Sequence, residues 1–363
     1  MSPRLLWFRL INPIDPWLML VTGLLLGFSL LVMASASPER INAQLINISV
    51  ALVVLRAAAE FPPPKLMRFA LPIFVFGLLL LIAVALFGDI SKGARRWLDL
   101  GITRIQPSEL MKIAMPLMLA WYFQKHETQL RLREYAVAGL ILLLPVLLIA
   151  RQPDLGTALL VLGAGFFVIF FAGLPWWLLG GMALAAVGFM PIAWNYLLHD
   201  YQRHRVLTLL DPESDPLGKG FHIIQSIIAI GSGGLLGKGW GQGTQTQLEF
   251  LPERHTDFIL AVISEEFGLL GITLLLVIYT LLIVRCLMIA ASAPTLFTRL
   301  LAGSITMIFF TYAFVNIGMV SGVLPVVGVP LPFISYGGTA LVTLSLGIGI
   351  LMSIQRHRML LRK

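Results

Sequence analysis

The sequence is poor in charge and nearly devoid of cysteine, and each shortage excludes a class of protein. Of its 363 residues 12% are charged and 58% hydrophobic, about half the charge usage of an average soluble domain. A chain of this composition lacks the polar surface to cover itself in water. The one cysteine, Cys286, has no partner for an internal disulfide and says nothing of redox compartment. Phosphate-cradling motifs fail too: in "GSGGLLGKGW" position 232 is serine and Lys238 is followed by Gly239, so P-loop spacing is absent. No G-x-G-x-x-G follows a strand pattern and no nucleophile elbow occurs. His199, His204, His222 and His255 lack metal-ligand spacing. Nucleotide-driven transport, dinucleotide chemistry and serine hydrolysis therefore lose support.

What the chain has instead is long apolar runs. Pro16 to Ser37 and Leu71 to Gly88 continue for roughly 20 residues without a charge, the length that crosses a hydrocarbon core as a helix. Further runs near 41–59, 109–124, 135–150, 156–173, 176–198, 258–284, 299–320 and 338–354 bring the expected spans to about ten. The first run is followed by others of similar length and ends in a weakly cleavage-like "ASAS", so it is read as part of the mature chain.

An even number of spans puts both termini on one side. With the N-terminus inside, the inner segments hold Arg4, Arg9, Arg56, Lys65, Arg68, Lys125, Arg131, Arg133, Arg285, Arg299, Arg356, Arg358, Arg362 and Lys363, as the positive-inside rule requires. That is a first use for the net charge of +8, and nothing points to nucleic acid. The other face carries two long loops, 89–107 and 199–257. They are basic themselves, which weakens the orientation signal. The segment Gly318 to Gly338, "GMVSGVLPVVGVPLPFISYGG", is apolar but too rich in proline and glycine for an unbroken helix. Such backbone survives at membrane depth only when buried in protein or lining a wet cavity. The expected fold is an all-α integral membrane protein, one membrane domain over residues 1–363, with a long loop before the eighth helix.

Four constellations carry chemistry. In "LPERHTDFILAVISEEFG" Asp257 stands at the start of an apolar run, with Glu253, Arg254 and His255 before it and Glu265 and Glu266 inside it. If helix begins near Thr256, Ser264 lies below Asp257, and Glu265 about 80° round and about 12 Å deeper, a polar stripe entering the bilayer. Capping a first turn would explain Asp257 but not the glutamates, which are costly in hydrocarbon and usually face a cavity. In "QPSELMKIAMP" Glu109 and Lys112 share a helix face, either as a self-neutralising pair or as markers of a substrate path. Asp154 in "RQPDLGTALLV" reads first as a helix cap. The outer-loop cations, in "KGARRWLDLG" and "YQRHRVLTLLDPESDPLG", read as solvated charge or as a pyrophosphate site, for which arginine is suited.

Taken together, "KGARRWLDLG", "QPSE", "QPDLGTAL", "YQRHRV", "AIGSGGLLGKG", "LPERHTDFI" and "GVLPVVGVPLPFISYGG" resemble the SEDS family (shape, elongation, division and sporulation) of bacterial cell-wall polymerases, in its rod-shape more than its division branch. The resemblance runs from about residue 12 to the last span. It implies ten transmembrane helices in the cytoplasmic (inner) membrane, both termini cytoplasmic, and a periplasmic catalytic loop at about 199–257. It also implies peptidoglycan glycosyltransferase activity on lipid II during cell elongation. Asp257 takes the place of the family's catalytic aspartate, and Glu109 and Lys112 that of its intramembrane charged pair. Asp154, Arg203, Arg205, Lys238, Glu253 and Glu265 are the further candidates for the substrate cavity. No cofactor is required; a divalent cation near Asp257 is an optional helper. The implied partners are membrane lipid, a class B penicillin-binding protein transpeptidase and other elongation-complex proteins. A lipid II flippase and a non-catalytic scaffold for the transpeptidase are the rival readings, since intramembrane charges and a broken helix also suit a transporter.

Overall fold

The structure, a computed structural model, describes residues 15–91, 94–99, 104–128, 130–198, 200–212, 218–251 and 253–361. Arg4, Arg9, Lys92, His199, Arg362 and Lys363, and residues 213–217 of the "DPESDPLG" turn, lie outside the described residues. In chain order the helices are α1 Pro16–Ala36, α2 Ile41–Glu60, α3 Pro63–Phe87, α4 Pro107–Lys125, α5 Leu132–Arg151, α6 Leu155–Phe171 and α7 Trp176–Ile192. They continue as α8 Asp200–Leu210, α9 Lys219–Gly233, α10 Thr244–Gln247, α11 Ile259–Ala291, α12 Leu296–Val320 and α13 Gly338–Leu361. A helix thus covers each of the expected apolar runs. Among the described residues eight are long and apolar enough to cross a membrane. The remaining two are α4, interrupted by Glu109 and Lys112, and α6, with 17 residues. The protein is a multi-pass membrane protein. Its one departure from an all-α architecture among the described residues is a small antiparallel sheet in the first long loop. The strands β1 Asp89–Ser91, β2 Ala94–Asp99 and β3 Arg104–Ile105 follow in that order, with Leu98 opposite Ile105.

Local chemistry sets the helix starts. The Asp15 carboxylate accepts from Leu18 N at 3.0 Å, with Pro16 pre-set for the first turn. Thr295 and Thr298 form a reciprocal cap on α12. α4 forms the centre, buried over most of its length between α3, α6 and α12. α13 lies along α2 and α1 along α11. At the other extreme α7 buries no residue, which costs nothing in a hydrocarbon solvent.

Two breaks in regular helix position everything that follows. The first is inside α11, where Gly268 adopts φ +64° and the helix splits into two. The loop after α9 enters this break: Lys238 N and Gly239 N donate to the carbonyls of Glu265 and Glu266 at 2.9 and 3.1 Å. Leu269 N and Leu270 N donate to those of Gly234 and Leu235. Gly237, at φ +80°, sits so close that a Cβ there would lie 2.1 Å from the Glu266 carbonyl oxygen. Only glycine fits.

The second break is residues 321–337, non-helical as their composition predicts. Their core positions Val329, Leu331, Phe333 and Ile334 are buried in protein, and side chains from other helices satisfy their backbone. Asn316 Nδ2 donates to Val329 O at 2.7 Å, Ser29 Oγ to Ile334 O at 2.7 Å, and Tyr279 Oη to Pro332 O at 2.6 Å. That is the condition for irregular backbone within a membrane.

Candidate functional site

Asp257 lies in the turn that precedes α11, which begins at Ile259 rather than near Thr256. Phe258 takes the N-cap position of α11, with no side-chain bond of its own. The turn is instead tied to the irregular segment 321–337. Ser335 Oγ donates to Thr256 O at 2.6 Å, Tyr336 N to His255 O at 2.8 Å, and Asn316 Nδ2 to Asp257 O at 2.9 Å. Gly328, at φ +77°, passes so close that a Cβ there would meet the Asp257 carboxylate at 3.4 Å.

Asp257 faces a cavity of about 630 Å³, which it lines together with Glu109, Lys112, Asp154, Arg96 and Gln106. Thr256, Gly328 and Tyr336 complete the wall on the Asp257 side. Glu109 and Lys112 are 9% and 2% exposed and paired at 2.5 Å. Lys112 also donates to the Tyr312 hydroxyl. The second carboxylate oxygen of Glu109 is buried and has no hydrogen-bond partner among the described residues. Asp154 caps α6 by accepting from Thr157 N at 3.3 Å, as read from the sequence, and also accepts from Gln106 Nε2 at 3.1 Å. Arg96, on β2, donates to Pro153 O and lies 3.9 Å from the Asp154 carboxylate. The sheet thus brings a guanidinium over the mouth of the helical bundle.

The other candidates lie elsewhere. Glu265 and Lys238 pair at 2.8 Å on the loop side of α11, where Glu265 also accepts from Thr244 Oγ1 at 3.1 Å and Gln245 N at 3.0 Å. Glu266 accepts from Ser35 Oγ. The two glutamates grip the glycine-rich loop and do not line the cavity. Arg203 and Arg205 sit on α8, Arg203 donating to Asn195 O at 2.9 Å, and neither lines the cavity. Glu253, at φ +51°, accepts from Thr256 Oγ1 at 3.1 Å. Among the described residues no group of three or more His, Cys, Asp or Glu side chains is placed to hold a metal ion.

Arg96 and Gln106 were visible in the sequence only as members of quoted motifs, and Tyr312 and Tyr336 not as site residues at all. Tyr336 also stacks edge-on against His255 at 5.8 Å and carries Arg40 over its ring at 5.4 Å. Burial, followed by the nearby Arg40 charge, lowers the His255 pKa below its ordinary 6.5.

The fold and cavity define a multi-pass helical membrane protein with an ionisable pocket at one end of its bundle. The chain belongs to the FtsW/RodA/SpoVE family of cell cycle proteins, whose model matches residues 14–360. It is 54% identical over 353 residues to peptidoglycan glycosyltransferase MrdB of Escherichia coli K12, covering 96% of this chain and 95% of that one. It is 39% identical over 293 residues to a probable peptidoglycan glycosyltransferase FtsW of Geobacter metallireducens, covering 79% and 77%. Among solved structures it resembles a chain from work on the structural coordination of polymerization and crosslinking by a peptidoglycan synthase complex (TM-score 0.82, 36% identity, 95% and 98% covered). The rod shape determining protein RodA of Thermus thermophilus is a second match (TM-score 0.72, 30% identity, 95% and 97% covered).

Proposed function

We propose that this protein is the peptidoglycan glycosyltransferase of a cell-elongation machinery. It joins lipid II disaccharides into β-1,4 glycan strands with release of undecaprenyl pyrophosphate. The observation that carries the reading is a single cavity shared by Asp257, Lys112 and Arg96, in a chain of this family. The reaction needs the 4-hydroxyl of one N-acetylglucosamine to attack the anomeric carbon of a lipid-linked N-acetylmuramic acid. Asp257 takes the hydroxyl proton as the new bond forms. The bond to pyrophosphate breaks on the opposite side, inverting the α-linked donor to a β-linked product.

One base suffices because pyrophosphate leaves without full protonation, unlike the alkoxide that obliges a glycosidase to use a second carboxyl as acid. The developing negative charge needs fixed cations, and Arg96 and Lys112 are those in the cavity wall. Arg203 and Arg205 remain candidates for saccharide contacts beyond the cavity. Lys238 and Glu265 are assigned to holding their loop. For a divalent cation the donor set is a poor fit, since Asp154 is already engaged by Gln106, Thr157 N and Arg96, and no step is routed through one.

The orientation follows from the chemistry: Asp257 and the loop 199–257 face the periplasm, and both termini the cytoplasm, of a bacterial inner membrane. A class B penicillin-binding protein is the partner that would crosslink the strands. A flippase requires polar groups continued to the opposite face, whereas below Lys112 the buried side chains of α4 run apolar through Ile113, Ala114, Met115, Pro116 and Leu117. The test is glycan-strand synthesis from labelled lipid II by the purified protein with its transpeptidase, crosslinking being blocked by penicillin. Asp257→Asn gives no polymer while still inserting and binding its partner; substantial turnover by the mutant would overturn the assignment.

A further inference from the structure

Three successive carbonyls in the turn that bears Asp257 are taken by donors from later in the chain. Those of His255, Thr256 and Asp257 accept from Tyr336 N, Ser335 Oγ and Asn316 Nδ2 at 2.8, 2.6 and 2.9 Å. The first two donors belong to the irregular segment 321–337. Only the third projects from regular helix, near the end of α12.

Asn316 is fully buried, and its one Nδ2 serves two acceptors. Besides the Asp257 carbonyl it donates to Val329 O at 2.7 Å, and Val329 follows Gly328, which lines the cavity close beside the Asp257 carboxylate. The amide therefore fixes at once the backbone that bears the carboxylate and the wall next to it. Its Oδ1, by contrast, is buried with no hydrogen-bond partner among the described residues. An orphaned amide oxygen costs stability, so packing alone does not account for an asparagine at this place.

α12 also reaches the other charged part of the site. Tyr312, one turn before Asn316 and on the same face, accepts from Lys112. Ser304 Oγ, deeper on the helix, donates to Ala164 O on α6 at 2.7 Å and ties α12 to the bundle. Four residues of α12, about 6 Å of rise, thus set the Asp257 turn against the Glu109–Lys112 pair, with Asn316 as the link on the Asp257 side.

We propose that Asn316 is a positioning residue for Asp257: by bridging the carbonyls of Asp257 and Val329 it holds the carboxylate in register with Lys112 across the cavity. The inference rests on the reading of Asp257 as the base. Asn316 does not itself line the cavity, so its loss slows turnover of the bound complex and leaves binding of lipid II nearly unchanged.

The experiment measures kcat and KM separately for glycan-strand synthesis from labelled lipid II, by the full-length protein with its transpeptidase in the presence of penicillin. Wild type is compared with Asn316→Leu, Asn316→Thr, Ser226→Ala and Asp257→Asn. Leucine keeps the volume and removes the donor. Threonine serves if leucine does not fold, since α12 already accommodates Thr306 and Thr311 by bonding their hydroxyls to carbonyls four residues back. Either variant is expected to lower kcat about 100-fold with KM within about threefold of wild type, the scale of a misplacement by about 1 Å. Ser226→Ala removes a buried bond to Val320 O at 2.9 Å, at the same end of α12 but away from the turn, and is expected to keep kcat within about twofold. Wild-type kcat in a folded Asn316 variant, a rise in KM alone, or an equal loss of kcat in Ser226→Ala would overturn the proposal while Asp257→Asn stays inactive. Substantial turnover by Asp257→Asn would instead remove the base itself, and the positioning role with it.

Discussion

Replacing Lys112 by methionine separates the two uses that a buried ion pair can have. The ammonium is 2% exposed and bonds both Glu109 and the Tyr312 hydroxyl, so the single substitution strands a carboxylate beneath the cavity. Breaking a buried pair from one side costs roughly 3–5 kcal/mol, and the lost bond to Tyr312 adds about 1 kcal/mol. Glu109→Gln combined with Lys112→Met removes both charges at nearly constant volume and recovers stability to within about 1–2 kcal/mol of wild type. Turnover behaves differently. If Lys112 stabilises the departing pyrophosphate, its loss costs about 10²–10³ in rate whether or not Glu109 is neutralised. Thermal unfolding in detergent and glycan-strand synthesis from lipid II, measured on wild type and both variants, read the two effects separately. A double variant that polymerises at the wild-type rate would refute the reasoning and leave the pair as a device for inserting α4.

Three further outcomes follow from the geometry. Tyr312→Phe keeps the packing of a fully buried ring but removes the oxygen that Lys112 donates to; stability falls by about 1 kcal/mol and polymerisation about tenfold, and unaltered turnover would show the hydroxyl to be incidental to the reaction. Gly237→Ala places a methyl 2.1 Å from the Glu266 carbonyl oxygen and forces a left-handed backbone, so the loop leaves α11 and stability drops by at least about 2 kcal/mol in thermal denaturation. His255 has a lowered folded-state pKa, so the unfolded chain binds its proton first. Stability is therefore full above pH 6.5 and declines as pH falls through that value toward the folded pKa, and His255→Gln flattens this part of the pH–stability curve.

The helices were legible because span length and absence of charge are properties of a segment by itself. The break at 321–337 was legible for the same reason, through its prolines and glycines. Asp257, Glu109, Lys112 and Asp154, each read from local spacing, are brought to one cavity. Glu265 and Glu266 show where that reasoning stops. A glutamate in an apolar run signals that something polar must meet it, but not whether this is a wet cavity or another piece of chain. Here the partner is the loop from Gly234 to Thr246, and its docking depends on Gly268 breaking α11, which no helical periodicity reveals. Arg96 reaches the cavity through the pairing of β2 with its neighbours, a placement invisible in a list of surface cations.

The turn that bears Asp257 is anchored by residues 316, 335 and 336, all made long after it as the chain is synthesised. A ribosome that has delivered α11 to the membrane has produced the carboxylate but not its scaffold. The pocket can close only when α12 and the broken segment have been inserted and folded back. A nascent or truncated chain ending before residue 335 therefore lacks the Ser335 and Tyr336 bonds that tie this turn to the broken segment.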